Sequence, residues 1–583
     1  MAGLSLLLKA KRRRLAGRLT AACCAALVAG AVAGAGGLAQ GAGTGASASK
    51  ARPNIVVIET DDQTQQAMKV MPIVKRRIAA KGVTFPNSFV NFSLCCPSRA
   101  TFLTGQYAHN HHVLGNAPPA GGYVTFERLH ADNNLAVWLQ DAGYRTALVG
   151  KYLNGYYMDP IEPPGWSEWD AGIGAKIYDY DMNENGNVVH YGTAASDFKQ
   201  NVFTQEGLDF IDQSAQSRQP FFLWLTYSSP HTNGPDPNPQ PPSDCEGAAK
   251  PAPRDADALA SEPLPMPPNF NEPDVSDKPE DIKSLPLLTG PDIHDVARKY
   301  RCALESLLSV DRGVGRVLDA LKARGELGNT YVIYTSDNGF FNGAHRIRYG
   351  KIKPYEESIR VPLVIRGPGL PRGRNARDLA INADLAPTIT ELTGAKPRLR
   401  MDGRSLLPAA RRPSLERGRE LSVESTSFHA IRTERFIYVR YRTGERELYD
   451  LARDPYELQN VVDDPAYRTV RSKLSHELGK LRDCRGNGCR LKPRVSLELS
   501  HRSRREGAHW CARDPIRARI GGAQAADAVE ARFHLGPRLV ADDRSSPFSQ
   551  VLTGAHGPVR VRAEVTMLDG RRLTITRPLR ACG

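Results

Sequence analysis

Four short apolar runs, each ending in polar residues able to do chemistry, constrain this chain more than any other feature. They are NIVVIETDDQ (54–63), YRTALVGKY (144–152), PFFLWLTYSSPH (220–231) and NTYVIYTSDNG (329–339). Each is rich in β-branched and aromatic residues and apolar almost without alternation, the pattern of a strand covered on both faces. Between them lie helical patterns, of which YRCALESLLSVDRGVGRVLDALKARG is apolar at helical spacing and stops at Gly325. The alternation predicts an α/β fold with a large, mostly parallel central sheet flanked by helices. Ligands in such sheets collect at the carboxyl ends of the strands. Asp61, Asp62, Lys151, His231, Asp337 and Asn338 all fall there.

The flanking regions read differently. Lys9, Lys11, Arg12, Arg13, Arg14 and Arg18 precede an Ala/Gly/Val/Leu stretch from Leu19 to about Leu38, with no acidic residue before Lys50. Residues 1–48 therefore read as an export signal, with cleavage at Ala46-Ser47-Ala48 or near Gln40; an N-terminal membrane anchor is the alternative. Either places the protein outside the cytoplasm, secreted or in the cell envelope. The formal charge of the chain is +15, and residues 491–583 hold 17 Lys/Arg against 9 Asp/Glu, so the middle is close to neutral. A basic tail suits an acidic glycan or an anionic cell wall, or is a solvated surface. Its segments RVSLELS, EARFHLG and PVRVRAEVTML alternate between Gly and Pro breaks and predict a small β-rich module over 491–583. Residues 50–480 are left as the catalytic domain with its C-terminal subdomain. Within it, Thr232 to about Leu288 is rich in Pro, Asp and Ser without periodicity, which reads as a long surface loop over the site.

Cysteine usage sharpens the question. Beyond Cys23 and Cys24 in the signal, six cysteines suggest three bridges in an exported chain. Cys484 and Cys489 flank a tight RGNG turn, Cys511 and Cys582 bracket the tail, and Cys245 with Cys302 would tie down the long loop. That leaves the vicinal pair Cys95-Cys96, poorly placed to bond to each other. In CCPSRATFLTG, Pro97 fits the first turn of a helix, so Cys95 lies at a helix N-terminus, where free N–H groups favour anions, and Arg99 can lie on the same side. Asp61, Asp62, Asp337 and Asn338 make an oxygen-rich cluster suited to a hard cation, Ca²⁺ or alternatively Mg²⁺. Taken singly, an Asp pair or an Asn-Gly step is an ordinary loop.

These residues resemble the formylglycine-dependent sulfatases of the alkaline phosphatase superfamily. The family signature Cys-x-Pro-Ser-Arg followed by Leu-Thr-Gly reads here as Cys95 to Arg99 and then Leu103-Thr104-Gly105. TDDQ, GKY, SSPH, SDNG, GKIKPYEESIRVPLVIRGPG and LYDLARDPYELQNV follow in family order over roughly residues 52–480. The doublet and YAHNHHV look most like the N-acetylglucosamine-6-sulfatase branch.

The resemblance implies hydrolysis of sulfate esters on a sulfated carbohydrate or aryl sulfate, after a formylglycine-generating enzyme oxidises Cys95. Cys96 then only occupies the variable position. By the same resemblance, the hydrated aldehyde attacks sulfur, Asp61, Asp62, Asp337 and Asn338 bind Ca²⁺, and Arg99 steadies the hydrate. Lys151 and Lys351 hold the sulfate, and His231 is a candidate proton donor to the leaving oxygen. No nucleic acid is expected as a partner. One departure stands out: where many members carry Gly-Lys-x-His, this chain has Leu153 and then Asn154, so Asn154 or His345 would take over that histidine's duty. Alternatives are a phosphodiesterase or phosphonate hydrolase of the superfamily, or an inactive glycan-binding relative.

Overall fold

The computed structural model describes residues 52–158, 161–217, 219–233 and 244–583; the expected export signal lies outside the described residues. Ten strands form the main sheet: β1 (Asn54–Thr60), β2 (Val83–Thr84), β3 (Arg145–Gly150), β4 (Glu168–Ile173), β5 (Tyr180–Glu184), β6 (Asn187–Tyr191), β7 (Phe221–Thr226), β8 (Thr330–Ser336), β9 (Leu363–Arg366) and β10 (Arg374–Asn375). They lie in the order β10-β2-β9-β8-β1-β7-β3-β4-β5-β6. The four apolar runs are β1, β3, β7 and β8, adjacent and parallel at the centre, with β4 also parallel beside β3. Toward the edges the sheet is mixed. β9 runs against β8, and β4, β5 and β6 form a meander, because their short links leave no room for the crossover a parallel pair needs.

Three helices matter for the site: α1 (Cys95–Thr104), α2 (Lys199–Ser217) and α3 (Gly290–Ala323). Alternate residues of each central strand feed two cores. Ile55, Val57, Leu148 and Trp224 pack with Phe102 and Leu103 of α1 on one face. Val56, Ile58, Val149 and Leu223 pack with Phe203 of α2 and Leu307, Val310 and Leu318 of α3 on the other. The strands are buried on both faces, which is why they read as unbroken apolar runs. Helix α3 starts ten residues before the predicted pattern. Its cap is Thr289, whose hydroxyl accepts from the Asp292 N–H while the Asp292 carboxylate accepts from the Thr289 N–H, and Pro291 follows in the first turn.

After the main sheet, Leu421–Glu424, Phe428–Arg432, Phe436–Tyr441 and Arg446–Asp450 form an antiparallel meander packed on a helix at Arg468–Leu481. The C-terminal region is a separate, largely antiparallel sheet of seven strands with its own core, richer than the three segments read from sequence. Arg571 pairs with Glu420, and Lys473 with Asp527 and Asp569, joining that sheet to the meander and its helix. The bridges are Cys245–Cys302, Cys484–Cys489 and Cys511–Cys582, while Cys95 and Cys96 are free and buried. The first bridge fastens the long loop to α3, and the loop packs on the segment after Asn338 through the Asn271 N–H to Gly343 O and the His345 N–H to Asn269 O. Among the described residues no helix is long and apolar enough to cross a membrane.

Candidate active site

The carboxyl ends of β1 and β8 deliver four groups to one point. One oxygen from each of Asp61, Asp62 and Asp337 lies within 4.8 Å of the others, and all three residues are buried. The Asp62 N–H donates to Asp337 Oδ1 at 3.2 Å, which holds Asp62 in the left-handed region at φ 69°, a conformation a non-glycine residue keeps only where its surroundings enforce it. Asn338 Nδ2 donates to Asp62 Oδ1 at 2.5 Å, leaving Asn338 Oδ1 buried without a hydrogen-bond partner. An orphaned amide oxygen beside three buried carboxylates is a donor set that fits a hard divalent cation.

Helix α1 brings the cysteine to the same place. It begins at Cys95 after Leu94 in extended conformation and ends at Gly105, whose φ of 68° and contact with the Met401 side chain leave no room for a Cβ. Cys95 Sγ is 2.8 Å from Lys351 Nζ and 3.5 Å from Asp61 Oδ1. Lys351 also pairs with Asp62, and Lys151, from the end of β3, pairs with Asp61. Burial disfavours both ammonium groups, but the carboxylates of Asp62 and Asp61 respectively outweigh it and raise their pKa values. Burial likewise opposes ionisation of Asp61, and Lys151, His231 and Arg99 overcome it, holding that carboxyl far below its ordinary value. His231 Nε2 lies 3.8 Å from Asp62 Oδ2, and its Nδ1 is 2.6 Å from Thr232 O. Desolvation lowers its pKa, yet Asp61 and Asp62 carry it up to about 9.

Arg99 sits behind this cluster rather than at its mouth. Its fully buried guanidinium donates to Asp337 Oδ2 at 2.9 Å, Thr226 Oγ1 at 2.6 Å and Lys151 O at 2.9 Å, and pairs with Glu59 at 3.3 Å. Glu59 and Thr226 were not singled out in the sequence, although a glutamate inside an apolar strand is a readable signal. Burial pushes Glu59 up to about 7 against the pull of Arg99. Cys96 is raised by burial to about 12, an inert thiol.

Two groups fall apart from the cluster. Lys353, two residues after Lys351, pairs with Asp281 instead. His345 is bonded through Nδ1 to Glu272 at 2.6 Å and through Nε2 to Asn269 at 3.3 Å and stacks on Tyr355; none of these partners belongs to the cluster. Asn154 presents a buried Oδ1 without a partner. Beside Asp62 a cleft opens between Pro230 and α3, lined by Tyr300, Phe340, Asn342 and Arg348.

A large mixed sheet with flanking helices, a buried oxygen cluster at its strand ends and a buried cysteine at a helix start beside it is an alkaline-phosphatase-like fold. The match to the sulfatase family spans residues 53–395, and a second, to the N-sulphoglucosamine sulphohydrolase C-terminal family, spans 343–484. The chain belongs to the sulfatase family. It is 30% identical over 504 residues to the N-acetylglucosamine-6-sulfatase of Capra hircus, covering 77% of this chain and 87% of that protein. It is 38% identical over 360 residues to a putative extracellular sulfatase Sulf-1 homolog of Caenorhabditis elegans, covering 61% of this chain and 48% of that protein, about half its length. Among solved structures, BT4656 in complex with its substrate D-glucosamine-2-N,6-O-disulfate superposes with a TM-score of 0.62 at 25% identity, covering 74% of this chain and 97% of that one. The phosphonate monoester hydrolase of Agrobacterium radiobacter gives 0.53 at 26%, covering 74% and 95%.

Proposed function

We propose that the protein hydrolyses sulfate esters of a sulfated carbohydrate or aryl alcohol, using a formylglycine made from Cys95 and one bound Ca²⁺. The observation that carries this reading is Cys95 Sγ held between the ammonium of Lys351 and the carboxylate of Asp61, at the start of a helix. Asp61, Asp62, Asp337 and the orphaned Oδ1 of Asn338 would hold the cation. Formylglycine supplies a hydrated aldehyde whose hydroxyl is the nucleophile, and the cation a Lewis acid for the sulfuryl oxygens.

The chain's own residues do the rest. Lys151 and Lys351, kept cationic by the carboxylates around them, are placed to hold the negative sulfuryl oxygens in a site that admits little water. His231, with Nε2 3.8 Å from Asp62 Oδ2, would give a proton to the departing alcohol oxygen. Arg99 fixes the Asp337 carboxylate and the backbone of Lys151, while its charge still acts on residue 95. The cleft beside Asp62 would receive the alcohol portion, and the resemblance to the N-acetylglucosamine-6-sulfatase relative and the glucosamine-disulfate complex favours a sulfated amino sugar. The N-terminal region and the extracellular relative favour export.

The test is peptide mass spectrometry of residue 95 in protein made with a formylglycine-generating enzyme, with turnover of an aryl sulfate. A thiol at residue 95 in active protein would overturn the nucleophile. A chelator selective for Ca²⁺ should abolish turnover, and Ca²⁺ should restore it. The structural likeness to the phosphonate monoester hydrolase supports a second reading; faster turnover of an aryl phosphonate than of the sulfate would favour it.

A further inference from the structure

The strand register of the C-terminal sheet gathers arginines that sequence spacing leaves scattered. In the strand His509–Gly521, Ile516, Ala518 and Ile520 are buried while Arg513, Arg517 and Arg519 are exposed, so the arginines stand on the outer face. On the neighbouring strand Ser496–Glu506, Arg502 pairs directly with Arg513, Ser500 with Arg517 and Glu498 with Arg519. On the other side, the strand Arg572–Ala581 meets His509–Gly521 at Ala512↔Ala581, both buried, so the next residue along the first strand and the preceding one on the second, Arg513 and Arg580, both turn outward. Arg580 pairs with Pro558, two residues before Arg560 on the strand Gly557–Met567, which adds Arg560 to the same face.

Six exposed arginines thus share one face across four adjacent strands: Arg502, Arg513, Arg517, Arg519, Arg560 and Arg580. Among the described residues none of the six has a carboxylate within ion-pair distance, whereas Arg532, Arg562, Arg571 and Arg572 of the same sheet are all paired. Glu498 is the carboxylate directly opposite one of them, Arg519, in this register. Like charges placed directly opposite, as at Arg502 and Arg513, destabilise a sheet, and a bound polyanion removes that cost. A planar guanidinium binds sulfate and carboxylate oxygens in pairs, and several in a row gain from a ligand that repeats.

We propose that this arginine face is a second binding site, separate from the catalytic crevice, that docks a sulfated polysaccharide chain and so retains the enzyme on polymeric substrate. The choice of a sulfated chain over other polyanions rests on the sulfatase reading above; the anion-binding face itself does not. The test uses the full chain carrying Cys95→Ala, so that no turnover occurs, with heparin as the probe and binding measured by calorimetry from low to physiological salt. Arg502→Glu, Arg513→Glu and Arg517→Glu together should weaken heparin binding at least tenfold, Arg→Gln at the same positions less, and binding should fall steeply with salt. In the Cys95 background the same triple change should leave turnover of a small aryl sulfate intact, which reports the catalytic reading independently. Unchanged heparin affinity in both triple variants would overturn the site, and tighter binding to duplex DNA or polyphosphate than to heparin would overturn the occupant.

Discussion

The proposed catalytic crevice and the C-terminal sheet handle positive charge in opposite ways. In the crevice Arg99 is buried and Lys151 and Lys351 are partly buried, and each is matched to carboxylates that hold it in one geometry. On the C-terminal sheet the six arginines are exposed and, among the described residues, have no carboxylate within ion-pair distance, which leaves them free to adapt. Paired, desolvated cations suit chemistry on one small group, because a fixed charge in a dry site acts strongly on a developing anion. Solvated cations in a row suit a flexible repeating partner, where each contact is weak and the number decides.

Changes in the crevice should therefore be severe and local. Cys95→Ala should lower kcat/KM on an aryl sulfate by at least about ten-thousandfold with an unaltered fold, while Cys96→Ala, at the inert buried thiol, should retain most activity. Equal losses from both would break the contrast between the two cysteines. Lys351→Ala should cost on the order of 3 kcal/mol of transition-state stabilisation, roughly a hundredfold in kcat/KM. Lys353→Ala, which removes a partly exposed pair with Asp281, should cost little. A larger loss at Lys353 would show that the contact with Cys95 is not the functional one.

Changes in the C-terminal sheet should alter stability and leave chemistry alone. Replacing Cys511 and Cys582 by Ser opens a loop closed over 71 residues and should destabilise that sheet by about 2–4 kcal/mol. Thermal unfolding followed by Trp510 fluorescence would read the loss, and aryl sulfatase activity at low temperature should be kept. If activity fell in step with the sheet, the two regions would not be independent.

The smallest effect concerns pH. Burial opposes ionisation of Glu424, but hydrogen bonds from His109, with the His429 ring nearby at 3.5 Å, bring it down to about 2, while His109 itself is raised. Glu424 is ionised more readily folded than unfolded, so its stabilisation is complete above the ordinary glutamate value near 4.5 and disappears as pH falls toward 2; that of His109 is complete below about 6.5 and is lost as pH rises past its elevated value. Glu424→Gln should flatten the stability curve between about pH 5 and 2, measured by denaturant unfolding. An unchanged slope would mean that the pair contributes nothing.

The four central strands, the start of α1 at Cys95 and the three disulfides were legible in the sequence because each is a local pattern: apolar runs, a proline in a first turn, cysteines bracketing segments. So were the residues of the cluster, since each ends a strand. The antiparallel edges, the meander at 421–450 and the helix at Arg468–Leu481 were not read, because their placement depends on which surfaces remain to be covered once the central sheet has formed. Spacing alone does not choose between Lys351 and Lys353, as residues two apart on an extended segment share a face, and the resemblance to the family points to Lys351. In the fold the Lys351 ammonium contacts Cys95 and that of Lys353 pairs with Asp281.

By itself the sequence determined the chemistry this protein carries: which groups exist, and on which kind of element each sits. Only the tertiary structure decided who faces whom. Glu59 behind Arg99, the orphaned oxygen of Asn338 and six arginines on one face all depend on strands distant in sequence lying about 5 Å apart. Local propensity encodes the element, but pairing and register are set by burying all the apolar faces at once.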